Sequence, residues 1–410
     1  MEYQFYTLSN GIRIVHRQSS RLVSHLAVMI NTGTRDELPE EEGMAHFIEH
    51  VIFKGTGKRK VHQVLGRLEN IGADLNAYTT KEETCIHASF LSDFYPRAIE
   101  LFSDILFNST FPEKEIDKEK DVVIDEINAY KDSPSELIFD EFEEMLFKGH
   151  ALGRSILGKP AAVKRISRKK ILSFIANHYN TDQMVISSVG NIRFERLVKL
   201  VSEAFGQQPA SLRSTQREEF KGGEPTEVIQ QRRIFQTHCI MGNHAYGYTH
   251  KARTTLALLT NMLGGPAMNS RLSMALRERN GLSYNIESVY TPYTEAGSFM
   301  IYLGTDNGAL EKAIALVHKE LNKFREKPLG HLQLHTAKQQ FTGQIAISFE
   351  SNLNDTLSMA KSVLIYDTVD THEVLISKIN AITATDLLEV AREILDPDRM
   401  SMLIYKNKKS

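Results

Sequence analysis

The sequence predicts an α+β protein made of two similar halves, each a mixed or antiparallel sheet with helices packed on one face. Three observations carry that expectation. Residues 166–190 and 382–406 align without gaps, setting Ile166 on Ile382, Leu172 on Leu388, Asp182 on Asp398 and Met184 on Met400. Both segments read as a helix, then a turn carrying Asp, then a strand. A second pair recurs in the same order: the strand-like 72–92 precedes the helical 95–107, and the strand-like 281–305 precedes the helical 310–324. Between the halves, residues 206–225 are polar, rich in Gly, Pro, Ser and Gln, and lack an apolar period. They read as a linker. The expected division is therefore 1–205, linker 206–225 and 226–410.

Taken in order, the chain begins with strand-like alternation around a turn at Asn10-Gly11,. That start lacks the basic residues and apolar core of a signal peptide, so a cytoplasmic location is expected. Apolar Met44, Phe47, Ile48, Val51 and Ile52 fit a helix beginning near Glu42 and buried on most sides,. Alternation around Leu75, Ala77 and Thr79 suggests a strand, and Val122, Val123, Ile127 and Tyr130 mark an acidic helix. No apolar run approaches the roughly 20 residues of a membrane span. A net charge of −2 gives no support to a nucleic-acid partner,. Two cysteines, Cys85 and Cys239, are too few for a disulfide framework or a thiolate metal site, and both read as small buried residues,.

The segment "GMAHFIEHVIFKGT" (43–56) carries the chemistry. On a helix, His46 and His50 lie one above the other, about 5–6 Å apart between Cβ atoms, so two imidazoles can grip one ion. Glu49 falls on nearly the same face. His-x-x-Glu-His inverts the commoner zinc-protease order, and either order sets a carboxylate beside the metal. A catalytic zinc needs a third protein ligand. Glu119 and Glu126 stand seven apart on one face of the acidic helix, and either can serve.

"AHFIEHVIFKGT" (45–56), "LENIGADLNAYTTKEETCIHASF" (68–90) and "EKDVVIDEINAYKDSP" (119–134) together closely resemble the pitrilysin and insulinase family of zinc peptidases, in the half-length branch of mitochondrial processing peptidase subunits and bacterial relatives. The resemblance spans nearly the whole chain. It implies one zinc per chain, a third ligand 76 residues past His50, which is Glu126, and an outer-sphere role for Glu119. It implies that Glu49 is the general base for water attacking a peptide carbonyl and then delivers the proton to the leaving amine.

The same resemblance assigns Arg277, on a helix, and Tyr284, expected on the following strand, to hold the substrate backbone and stabilise the tetrahedral intermediate. It implies that Asn76, Ala77 and Tyr78 form an exposed edge to which a peptide adds as an extra strand. The implied activity is endopeptidase cleavage of unfolded peptides in an enclosed chamber. The implied active form is a homodimer, because the family's single-chain members are twice as long and bring the Arg/Tyr pair to the metal from the opposite unit. A non-catalytic scaffold or peptide-binding partner is the alternative, which intact His46, Glu49, His50 and Glu126 argue against.

Overall fold

The alternation that marks strands in the sequence resolves into two mixed sheets. The computed structural model describes residues 2–407. Its strands are β1 (Tyr3–Thr7), β2 (Arg13–Gln18), β3 (Val23–Ile30), β4 (Asp74–Thr79), β5 (Thr84–Leu91), β6 (Met184–Gly190), β7 (Glu227–Arg232), β8 (Thr237–Tyr246), β9 (Ile286–Pro292), β10 (Ala296–Thr305) and β11 (Ser401–Asn407). The first sheet has the order β1-β2-β6-β3-β5-β4 and the second β7-β11-β8-β10-β9. Each is antiparallel but for one parallel pair, β2 with β6 and β7 with β11. In both, the parallel partner is the strand that ends the duplicated helix-turn-strand segment.

In the first unit the period of two sorts side chains to two buried faces. Leu26, Val28 and Ile30 of β3 join Ile14, Ile86 and Ile186 against the helices, including Tyr95–Asn108 and Phe194–Phe205. Ala27 and Met29 point the other way with Val15, Cys85, Val185 and Val189, where Met359, Ala360 and Val363 of helix Asn352–Tyr366 cover them. The Arg17 guanidinium binds the buried Asp355 carboxylate and Asn352 Oδ1, pinning that helix to β2. In the second unit, Cys239, Met241, Phe299, Ile301 and Leu303 pack on one face with Leu256, Leu259 and Val317. The opposite face, with Ile240, Met300, Leu403 and Tyr405, receives Ile138, Phe142 and Leu146 of helix Pro134–Leu146.

The principal helices thus lie on one face of each sheet, and a single further helix closes the other face. These two closing helices are exchanged between the sequence halves. One compact unit comprises the residues to Asn128, Arg154–Glu218 and Ile347–Thr371; the other comprises Ala129–Gly153, Glu219–Ala346 and the residues from His372. The linker region carries no helix or strand from 209 to 226. Its first part is fixed by side chains: Arg217 Nη2 lies 2.7 Å from Asp36 Oδ2, and Arg213 binds the same carboxylate. Both cysteines are buried and free. Val122, one of the apolar residues that marked this helix, is half exposed, because the core-facing side of the helix carries Ile116, Val123 and Ile127.

Candidate metal centre

Helix Met44–Val51 buries Met44, Ala45, Phe47, Ile48 and Val51 in the first core, which leaves His46 and His50 one turn apart on the remaining face. It begins two residues later than the sequence suggests. Gly43 sits at φ +89°, a left-handed conformation outside the helix, and a Cβ there would meet Leu157 O at 2.8 Å. The peptide amides at the helix start are met by a buried carboxylate from outside the helix: Glu37 accepts from Gly43 N at 3.0 Å and Ala45 N at 2.8 Å.

Helix Glu113–Lys131 runs beside it in the same unit, anchored by Ile116, Val123 and Ile127. His46 Nε2 and His50 Nε2 are 3.2 Å apart, and Glu126 Oε2 lies 3.8 Å from the first and 3.4 Å from the second. Donors held roughly 2.0–2.1 Å from one tetrahedral ion stand about 3.3 Å apart, so the triangle fits a zinc-sized ion with a position left open. Among the described residues no other group of three or more His, Cys, Asp or Glu side chains converges in this way. Glu119 faces elsewhere. Its Oε1 lies 3.1 Å from His50 Nδ1 and its Oε2 2.8 Å from Lys54 Nζ. Of the two glutamates left open by spacing, Glu126 is the one brought to both Nε2 atoms.

Burial disfavours a proton on His46. Burial, with His50 adding to it, lowers the His46 pKa to about 4, so its imidazole is neutral and offers a lone pair at neutral pH,. Burial raises the Glu49 pKa, against the pull of the Thr79 hydroxyl and His50, and Glu126 adds to the rise. A carboxyl shifted upward is a better base. Thr79 belongs to β4, one of the two edge strands of the first sheet. On β4, Ala77 packs toward the core, Asn76 is exposed, and the Tyr78 ring meets His87 at 6.2 Å.

Arg277 and Tyr284 belong to the second unit, whereas the metal cluster belongs to the first. Arg277 lies in the π-helical turn Ser273–Glu278, with Nε 2.8 Å from Glu278 Oε1. Tyr284 is not on a strand as expected. It precedes β9 by two residues and is 83% exposed, because Gly281 turns at φ +61° and Ser283 Oγ donates to Gly304 O and Asn285 O. Spacing gave no hint of Glu37. Lys54 was within reach, since it follows His50 by four residues.

The profile described as insulinase (peptidase family M16) matches residues 13–160, and that of the peptidase M16 inactive domain matches 165–341. The chain belongs to the insulinase family of M16 peptidases. All of the clustered residues lie within the first match of this insulinase-family chain. It is 31% identical over 97% of its length to an uncharacterized zinc protease, YmxG, of Bacillus subtilis, of which 97% is covered. An uncharacterized zinc protease of Rickettsia bellii is 30% identical, over 98% of this chain and 97% of that one. The fold matches the crystal structure of a peptidase M16 inactive domain from Pseudomonas fluorescens (TM-score 0.93, 18% identity, covering 100% and 99% of the two chains) and that of a protease from Helicobacter pylori (0.90, 19%, 99% of each). Among the described residues of this insulinase-family chain, no helix is long and apolar enough to cross a membrane.

Proposed function

We propose that this chain is a zinc endopeptidase acting on unfolded peptides, with one zinc held by His46, His50 and Glu126. The triangle of 3.2, 3.4 and 3.8 Å among their donor atoms carries the reading. The names of the relatives, zinc proteases, support it. A zinc ion in that position supplies Lewis acidity, which polarises a peptide carbonyl and acidifies water.

The chain's own groups do the rest. Glu49 takes a proton from the attacking water on its carboxylate and passes it to the leaving amine nitrogen. Glu119 accepts from His50 Nδ1–H, which fixes the tautomer that leaves Nε2 for the metal. Lys54 holds Glu119 in that orientation. The edge position of β4 supports a peptide binding alongside Asn76, Ala77 and Tyr78 through main-chain hydrogen bonds, with little demand on side-chain sequence.

Arg277 and Tyr284 complete the site. Tyr284 O–H donates to the developing oxyanion and Arg277 holds the substrate backbone. The active form in this reading is a homodimer, in which each chain's Arg277 and Tyr284 serve the partner's metal centre. The exposure of Tyr284 and the family's arrangement support it.

Metal analysis of the purified chain together with digestion of a mixed peptide library tests the proposal. One zinc per chain and chelator-sensitive cleavage within extended peptides are expected. A chain that takes up no zinc, or cleaves equally after chelation, would overturn it.

A further inference from the structure

Two histidines face the same position, yet they are supported in different ways. The His50 ring is oriented by its own hydrogen bond, from Nδ1 to Glu119 at 3.1 Å, and Glu119 is in turn held by Lys54 at 2.8 Å. His46 has nothing equivalent. Its Nδ1 is buried without a hydrogen-bond partner, so no polar contact at that atom sets the ring's direction. Apart from Nε2, which faces His50 and Glu126, the His46 ring is set by packing and by the position of its own Cα, so the backbone at the start of helix Met44–Val51 bears on its direction.

That backbone is held by one side chain. The helix lacks a capping side chain at Gly43, and the Glu37 carboxylate takes the role from six residues upstream. Its two oxygens accept separately from Gly43 N and Ala45 N, the second being the residue immediately before His46. Glu37 is itself fixed: Arg154 donates to its carbonyl oxygen, and the residue is 4% exposed. The neighbouring chain is just as closely fitted, since a Cβ on Gly158 would come within 2.6 Å of Gly43.

We propose that Glu37 is a positioning residue for the metal centre, orienting His46 through the Gly43 and Ala45 amides as Glu119 orients His50 through its ring nitrogen. The inference rests on the reading of His46 as a ligand. Its substance is that the two histidines are supported by two independent carboxylates, one acting on a side chain and the other on a backbone.

The test compares metal binding by wild type, Glu37→Gln, Glu37→Asp and Glu119→Gln, each prepared metal-free and checked for folding by circular dichroism and thermal unfolding. Zinc affinity is measured by chelator competition, and the cobalt(II)-loaded proteins are compared by visible absorption. The amide of Glu37→Gln keeps one acceptor and turns an N–H toward the other backbone N–H. It is expected to bind zinc 10- to 100-fold more weakly, the range found when a ligand loses its orienting partner, with an altered cobalt band. Glu37→Asp, one methylene shorter, reaches one amide and gives a smaller loss in the same direction; it decides the matter if Glu37→Gln does not fold. The double variant Glu37→Gln/Glu119→Gln is expected to lose the product of the two single effects, because different histidines are released.

A cap that only stabilised the helix would lower the melting temperature and leave the cobalt spectrum unchanged. A folded Glu37→Gln with wild-type zinc affinity and wild-type cobalt spectrum overturns the role of Glu37. A wild-type protein that binds no zinc, or a His46→Ala variant that binds as well as wild type, overturns the metal-centre reading instead.

Discussion

His50 Nδ1 lies 3.1 Å from Glu119 Oε1, on the side of the ring away from the Nε2 that approaches Glu126. The two glutamates therefore act on one histidine from opposite edges, and their substitutions are expected to differ in kind. His46→Ala, His50→Ala and Glu126→Ala each lose stoichiometric zinc. Glu119→Ala retains a site weakened by about 10- to 100-fold. Zinc content after gel filtration in dilute chelator separates the classes, and a Glu119→Ala protein emptied while Glu126→Ala stays loaded would reverse the two roles.

Glu49→Gln keeps its zinc and loses turnover, since the carboxylate works on protons and not as a ligand. The expected fall in kcat is about 100- to 10,000-fold, the usual contribution of a positioned general base. Steady-state kinetics on a fluorogenic peptide alongside metal analysis checks it. Loss of zinc from this variant would remove the role.

The neutral His46 makes the metal-free protein acid-sensitive. Its pKa falls from the ordinary 6.5 to about 4 on folding. The unfolded chain therefore takes up a proton that the folded chain refuses, so the unfolding free energy is undiminished above pH 6.5 and declines as pH falls toward 4,. The histidine's share is on the order of 3 kcal/mol. Urea unfolding of the apo protein between those limits should show a shallower pH slope for His46→Gln than for wild type. Equal slopes would mean that His46 is as accessible to protons folded as unfolded.

Mixing chains tests the shared site. Glu49→Gln and Tyr284→Phe proteins are each expected to be nearly inactive. After subunit exchange, a mixed dimer contains one site with an intact Glu49 and an intact Tyr284, and part of the activity returns. No recovery with exchange demonstrated independently would count against reciprocal completion.

What the sequence made legible follows the range of the interactions. Spacing of four along one helix placed His46 and His50 together, because that geometry is local. By spacing alone the third ligand was a choice of two, since Glu119 and Glu126 share a helix face; the family resemblance named Glu126, and the approach of the two helices is what separates them in space. The open edge of β4 could be named but not located, because edge position depends on sheet order. Tyr284 was misplaced on a strand: apolar alternation runs through residues 282–286, whereas Gly281 and the Ser283 hydroxyl bend the chain there. The closing helices Pro134–Leu146 and Asn352–Tyr366 were unreadable as such, since each has an ordinary amphipathic pattern that says nothing of which sheet it covers.

The exchange of those two helices bears on how the chain is made. When the first 218 residues have left the ribosome, the sheet of the first unit still presents Val15, Ala27, Met29, Val185 and Val189 to water, because their cover lies at 352–366. Helix Pro134–Leu146, already synthesised, waits in turn for β8, β10 and β11. His46, His50 and Glu126 have all been synthesised by residue 126, yet the sheet of their unit is covered on its second face only after most of the polypeptide has emerged. A chain that ends before helix Asn352–Tyr366 therefore carries His46, His50 and Glu126 on a domain with one sheet face uncovered.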